Sequence, residues 1–314
     1  MGNLRLLAFT SLLSLVACMA TPDTNRLSND SPPGFLTPVL LSQVPFFPQE
    51  QYQCGPAALA TVLQDSGILV SPEDLVAEVY LPNRQGSLQL EMLAAPRRQE
   101  RISYLLDPTL DALINEVKAG RPVVVFQNLG LSWLPQWHYA VVIGYDLSSG
   151  MLILHSGTQK NYHLPLHTFE RTWRRAGSWA FVVLRPGELP ENADRLRYLE
   201  AVLALEPVAS LPNVATAYEA GAARWADSPL FLTALGNLYY TQDNYPAAQI
   251  SYQRLVDAHP DFAEGYNNLA VVLLRQGQHE AALMHIEQAL ALGGARIEAY
   301  RQTRTDILAA ASQR

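Results

Sequence analysis

Cysteine is scarce in this 314-residue sequence, basic residues are not clustered, and no long apolar run interrupts it. Each scarcity excludes something. There are only two cysteines, Cys18 and Cys54, so neither a disulfide framework nor a Cys-x-x-Cys zinc site can be built. With a formal charge of −7 and no dense Lys/Arg stretch, nucleic acid is not an expected partner, because phosphate binding needs clustered positive charge. His155, His163, His167, His259, His279 and His285 show no ligand spacing with acids, so neither a metal nor a cofactor is expected. What is abundant is apolar: 49% of residues, against 16% charged, which suits buried cores rather than disorder. The length fits about two domains of ~150 residues.

The N-terminus, "MGNLRLLAFTSLLSLVAC", carries one basic residue, Arg5, and an apolar run from Leu6 to Ala17. That run is too short for a comfortable membrane-spanning helix and reads as a signal peptide over 1–17. Its end, Leu15-Val16-Ala17-Cys18, resembles the lipobox of bacterial lipoproteins. The resemblance implies that Cys18 is lipidated and anchors the mature chain to a membrane. Met19 follows where an Asp would resemble inner-membrane retention, so the expected location is the bacterial envelope, at the outer membrane facing the periplasm. Residues 18–40 are rich in Pro, Ser, Thr, Asn and Asp and read as a lipidated tether. If Cys18 carries lipid, Cys54 has no partner and is either an inert core thiol or a nucleophile.

A globular segment is expected over 41–185. Gly55 to Gln64 reads as a helix, Ser71-Pro72-Glu73-Asp74 opens another with Ser as N-cap, and Leu88 to Ala95 gives a third. Strand-like runs follow: "RISYLL", "RPVVVFQN", "HYAVVIGYD", "MLILHSG" and "SWAFVVLRP", with a helix over Asp107 to Ala119 and a hairpin turn at "LSSG". Helices followed by an antiparallel sheet make an α+β pattern. After the Pro-bearing stretch "RPGELPENADR", residues 195–314 are helical in pattern and repeat with a period of 34, over 229–262 and 263–296. Leu235 matches Leu269, Gly236 matches Ala270, Ala248 matches Ala282 and Tyr252 matches Ile286. This resembles the tetratricopeptide repeat, an all-α array whose concave groove would hold a protein partner. Tyr198 and Tyr218 fall where a degenerate first unit over 195–228 would need them, and "EAYRQTRTDILAAA" reads as a capping helix.

Cys54 stands where the first helix begins, and free N–H groups at a helix N-terminus lower a thiol pKa. A cysteine nucleophile needs a base, and His138, opening "HYAVVIGYD", is the candidate. An oxyanion donor is also needed: Gln49 can supply an amide, with Gln51 and Gln53 as rivals. "VPFFPQEQYQCGPAALATVL" followed by "WHYAVVIGYD" resembles the double-glycine, or bacteriocin-processing, papain-like cysteine peptidases over about 41–185. The resemblance implies Cys54 as nucleophile, His138 as base and Gln49 as oxyanion donor, with Gly86, Ser87 and Leu88 fitting a further family stretch. Relatives keep an Asp on the strand after the histidine strand; here "MLILHSGTQ" offers His155 or Ser156 as the third member. Asp146, eight residues along the strand and so ~26 Å away, is out of reach. The expectation is a thiolate–imidazolium peptidase acting on peptide or protein substrates through an acyl-enzyme. A non-catalytic peptide-binding or scaffold lipoprotein is the alternative, and acyl transfer on the same pair a third. Relatives cut after Gly-Gly in leader peptides and are usually fused to an exporter; no spanning segments for one are present here.

Overall fold

The structure, a computed structural model, describes residues 21–48, 53–84 and 86–312. These fall into two compact units: one runs to Arg185 and includes Pro190–Ala193, the other comprises Pro186–Leu189 and the chain from Asp194 on.

The first unit is α+β. Its helices are α1 (Pro22–Asn29), α2 (Cys54–Asp65), α3 (Pro72–Val79), α4 (Gln89–Arg98), α5 (Leu110–Lys118) and α6 (Leu166–Arg174). The seven-stranded sheet runs β4 (Ile102–Leu105), β9 (Ala180–Leu184), β5 (Val123–Asn128), β6 (Trp137–Asp146), β7 (Met151–Ser156), β8 (Gln159–Pro165), with β1 (Val39–Leu40) also pairing β6. The short β2 (Tyr80–Leu81) and β3 (Gly86–Ser87) pair separately. β6 is longer than its partners. β5 pairs with it only as far as Val142, and β1 takes over at Tyr145 and Gly144. A Cβ on Gly144 would lie 2.5 Å from the Val39 carbonyl oxygen, so glycine is what lets β1 approach.

Helix α2 is buried along its length, from Gly55 to Leu63, because Ala57, Ala58 and Ala60 leave room for neighbours on every side. Leu59, Val62 and Leu63 meet Val124, Tyr139, Val141, Ile143 and Phe181 from one face of the sheet. Side chains alternate along a strand, so Gln127, next to the core-facing Phe126, points to the other face. There its amide donates to Thr172 Oγ1 on α6 at 2.6 Å. The expected cap at Ser71 is present as a reciprocal pair: Ser71 Oγ accepts from Asp74 N–H, and Asp74 Oδ2 from Ser71 N–H. The "LSSG" turn joins Asp146 to Met151, and the Asp146 carboxylate accepts from Ser148 and Ser149.

The tether reading of 18–40 is corrected for the described residues 21–40, which pack onto the domain. The carboxylate of Glu170, fully buried on α6, accepts the N–H groups of Thr24 (2.8 Å) and Asp23 (3.2 Å) at the start of α1. Leu27 and Phe35 are buried, and Phe35 lies edge-on to Tyr145. A polar, Pro-rich composition hides two apolar anchors and a helix start whose cap is supplied from 146 residues away.

The second unit is all helix: α7 (Arg195–Leu203), α8 (Leu211–Arg224), α9 (Leu230–Thr241), α10 (Tyr245–Ala258), α11 (Ala263–Arg275), α12 (His279–Leu292) and α13 (Ile297–Ala311). The repeats 229–262 and 263–296 each hold one helix pair, 195–228 holds another, and α13 is the terminal helix. A Cβ on Gly236 would sit 2.4 Å from the Tyr252 ring, and one on Gly221 2.3 Å from Phe231. The small residue in each case admits a neighbouring helix carrying a large ring.

Candidate active site

Cys54 is the first residue of α2 and Gln53 its N-cap; the Gln53 carbonyl accepts Ala57 N–H, while its side chain makes no capping bond. The following glycine is dictated by packing. A Cβ at Gly55 would lie 2.3 Å from Ser87 Oγ and 3.2 Å from Met92 Sδ, so any larger residue would push the helix start off β3 and α4. Tyr139 ties the same corner together by donating its hydroxyl to the Ser87 carbonyl at 3.1 Å. The Cys54 thiol lies against the backbone amide of Tyr139, the residue after His138. Strand β6 thus brings the backbone next after His138 to the start of α2.

Strand parity puts His155 and Ser156 on opposite faces of the sheet. Val141 faces the α2 side and pairs with His155, which therefore points to that side as well. His138, three residues before Val141, points the other way, and so does Ser156. His138 Nε2 and Ser156 Oγ are 2.9 Å apart, the diagonal reach expected across an antiparallel pair. His155 is bonded elsewhere. Its Nδ1 accepts Asn161 N–H, which leaves the ring proton on Nε2, aimed at the Val44 carbonyl (3.3 Å), and Phe46 packs against the ring. It braces residues 44–46 rather than the imidazole of His138. Gln49 and Gln51, like Cys18, lie outside the described residues.

The electrostatics depart from the expected ion pair. Burial pushes the Cys54 thiol up, against smaller lowering by the backbone N–H groups of Tyr139, Gly55 and Cys54 itself. Burial alone pulls His138 down to about 4. At neutral pH both shifts favour the uncharged forms, thiol and imidazole. The helix terminus does favour thiolate, but desolvation outweighs it.

Residues 41–181 match the Peptidase_C39 like family, and residues 233–297 match the tetratricopeptide repeat. The chain carries a C39-peptidase-like domain followed by tetratricopeptide repeats. Among solved structures, a C39-like peptidase from Bacillus anthracis is 21% identical, with 48% of this chain and 98% of that one covered at a TM-score of 0.41. A double-glycine-motif protease from an AMS/PCAT transporter, solved in complex with the leader peptide, is 20% identical over 45% of this chain and 91% of that one, with a TM-score of 0.34. A Yersinia enterocolitica type III secretion chaperone, SycD, in complex with a peptide of the translocator YopD, is 16% identical over 39% and 98%, with a TM-score of 0.33. Curated proteins gave no match.

Within the C39-peptidase-like domain, sequence reasoning did not single out the amide of Tyr139 or the β5–β6 hairpin that delivers His138. Among the described residues no helix is long and apolar enough to cross a membrane.

Proposed function

We propose that the chain is a papain-like thiol peptidase of the bacterial envelope, anchored through Cys18 at the outer membrane and facing the periplasm. Its repeats recruit a protein partner through their groove. The observation that carries the catalytic reading is the helix-terminal Cys54 thiol against the backbone amide of Tyr139, the residue after His138, whose Nε2 lies 2.9 Å from Ser156 Oγ. When Nε2–H donates to Ser156, the lone pair is on Nδ1, and that nitrogen is the base. As Cys54 Sγ attacks a peptide carbonyl, Nδ1 takes the thiol proton and later passes it to the leaving amine. Water, deprotonated in turn by Nδ1, then releases the acyl group from sulfur. Gln49 is assigned as oxyanion donor. In this scheme the ion pair forms along the reaction rather than existing beforehand.

The uncharged states of Cys54 and His138, with a serine at the His138 Nε2, favour a second reading, in which the domain binds peptides without cleaving them. A quenched-fluorescence peptide pool distinguishes the two. Hydrolysis by the full chain that is lost in both Cys54→Ala and His138→Ala supports the peptidase. Peptide binding with no turnover above the Cys54→Ala background supports the binding module. For the anchor, Cys18→Ser is expected to abolish palmitate labelling and membrane retention; unchanged labelling removes that part of the proposal.

A further inference from the structure

The loop joining β5 to β6, "LGLSWLPQW" over 129–137, has no charged residue. Leu131, Trp133 and Leu134 at its tip are 54%, 78% and 63% exposed. The backbone beneath them is braced. Leu131 and Leu134 exchange both backbone bonds at 3.1 Å, and Leu129 N–H donates to Gln136 O at 2.8 Å. The buried side chain of Asn128 accepts from Gly130 N–H and Gln136 N–H. Arg175, just past the end of α6, donates to the Asn128 carbonyl. A Cβ at Gly130 would lie 2.4 Å from the Leu134 carbonyl oxygen, so the two arms cross too closely for any other residue. Large apolar side chains held in water on a fixed backbone mark an interaction surface, for a protein or for a membrane.

What covers the tip follows from where the chain enters the domain. Thr21 is buried, and its carbonyl accepts Asn25 N–H at the start of α1. The N–H groups of Asp23 and Thr24 go to Glu170 on α6, and Asp23 Oδ2 accepts Leu110 N–H, the first of α5, at 3.4 Å. Both partners lie toward the hairpin. Glu170 is five residues, about 7.5 Å of helical rise, before the Arg175 that holds the hairpin base. Leu105 of β4 and Val124 of β5 both pair antiparallel with Phe181 of β9, so β4 and β5 run in the same sense. The chain leaves the sheet toward α5 and toward the hairpin at one and the same end. Thr21 is three residues past Cys18, a span of at most about 11 Å. A bilayer that holds lipid on Cys18 therefore lies close to the end of the domain from which the hairpin projects. An uncharged Trp and Leu tip suits the lipid boundary, where Trp is enriched, and Arg175 adds an exposed cation at its base. We propose that the tip of the β5–β6 hairpin inserts into the lipid surface that holds the N-terminus, as a second membrane contact that sets the orientation of the domain. The inference rests on the reading that Cys18 is lipidated. Lipid on Cys18 fixes one point and leaves the domain free to swivel; the hairpin supplies the second.

The test reconstitutes the full chain, as purified from membranes, into vesicles of phosphatidylcholine and phosphatidylglycerol. Tryptophan emission is compared between vesicles whose phosphatidylcholine carries brominated acyl chains, which quench an inserted indole, and vesicles without bromine. Emission is expected to fall in the brominated vesicles, and Trp133→Phe is expected to remove the larger part of that fall. Leu131→Ser with Leu134→Ser, which keeps Trp133 in place, is expected to weaken the quenching as well. These side chains are exposed, so the thermal midpoint should hold; Trp133→Phe alone serves if the double variant does not fold. Equal emission in the two kinds of vesicle, or quenching that survives Trp133→Phe, overturns the proposal. So does tip-dependent capture of an apolar peptide by a chain that shows no quenching, which would make the hairpin a protein contact. Palmitate labelling of the same preparation reports separately on the anchor. A labelled chain without quenching of Trp133 keeps the anchor and overturns the hairpin contact. An unlabelled chain whose Trp133 is quenched sinks the anchor and leaves the hairpin standing as a lipid contact.

Discussion

Replacing Ser156 with aspartate is expected to awaken the thiol. Ser156 Oγ lies 2.9 Å from His138 Nε2, so a carboxylate there would fall within ion-pair distance of the ring. An opposite charge at ~4–6 Å typically moves a pKa by 1–3 units toward the charged form. Burial has taken His138 from 6.5 to about 4. The substitution should therefore return it to somewhere between about 5 and about 7. The population of the thiolate–imidazolium form scales with that shift, so iodoacetamide should alkylate Cys54 at neutral pH at least ~10-fold faster in Ser156→Asp, after allowance for the cost of half-burying the new carboxylate. The wild-type rate should instead climb only as pH approaches the raised pKa of Cys54. The pH profile is the assay: a new low-pH plateau in Ser156→Asp, absent in Ser156→Asp combined with His138→Ala. A rate within about twofold of wild type across that range, less than ~0.4 kcal/mol, would refute the electrostatic argument.

The depressed His138 makes the fold acid-sensitive. Between pH 6.5 and about 4 the unfolded chain binds a proton that the folded chain does not, so stability falls as pH falls through that window. The loss is at most on the order of 3 kcal/mol and smaller for a half-buried ring, and His138→Gln should flatten the dependence of thermal midpoint on pH. Glu170→Ala strands the α1 amides of Asp23 and Thr24, so it should cost ~1–3 kcal/mol and open residues 22–29 to limited proteolysis. Unchanged cleavage there would show that Leu27 and Phe35 suffice to hold the segment. Gly236→Ala drives a Cβ into the Tyr252 ring and should destabilise the repeat unit by ~1–3 kcal/mol. Tyr252→Ile should restore part of the loss, since the second repeat has Ala270 and Ile286 at the matching positions.

Sequence carried the elements whose stabilising contacts are local or periodic. The capping box at Ser71, the "LSSG" turn, the apolar runs of β5 and β6, and the 34-residue repeat all read directly, because each signal lies within a few residues or recurs. What did not read is held from far away. α1 takes its cap from Glu170, β1 needs a glycine on β6, and β8 is an exposed edge strand, "QKNYHLP", with nothing apolar to alternate until Leu164. α6 is only nine residues long and buries a charged residue on its inner face. The facing of His155 and Ser156 was not legible for a related reason. His155 and Ser156 are adjacent, and only the pairing of Val141 with His155, which no local pattern specifies, decides which of them shares a face with His138.

The uncharged forms of Cys54 and His138 have one physical origin. Burying an imidazole and a thiol disfavours both ions; for His138 the cost is about the difference between 6.5 and 4. A neighbouring carboxylate is worth a comparable 1–3 units, so its presence or absence determines which side of neutrality the ring occupies. With serine in that place the ring remains oriented but receives no compensating charge. Orientation alone still permits general-base chemistry. The proton is transferred as the Cys54 sulfur attacks, much as a hydroxyl nucleophile is activated by a neutral histidine, and a thiol is the easier acid. The cost is that the reaction must form two buried charges that a preformed ion pair would already possess. A slow chemical step is therefore expected, with the rate limited by proton transfer from Cys54 to His138. It should be sensitive to the Ser156→Asp substitution in a way that peptide affinity is not: kcat should rise while KM stays nearly constant, because the added carboxylate stabilises charge that appears only as the reaction proceeds.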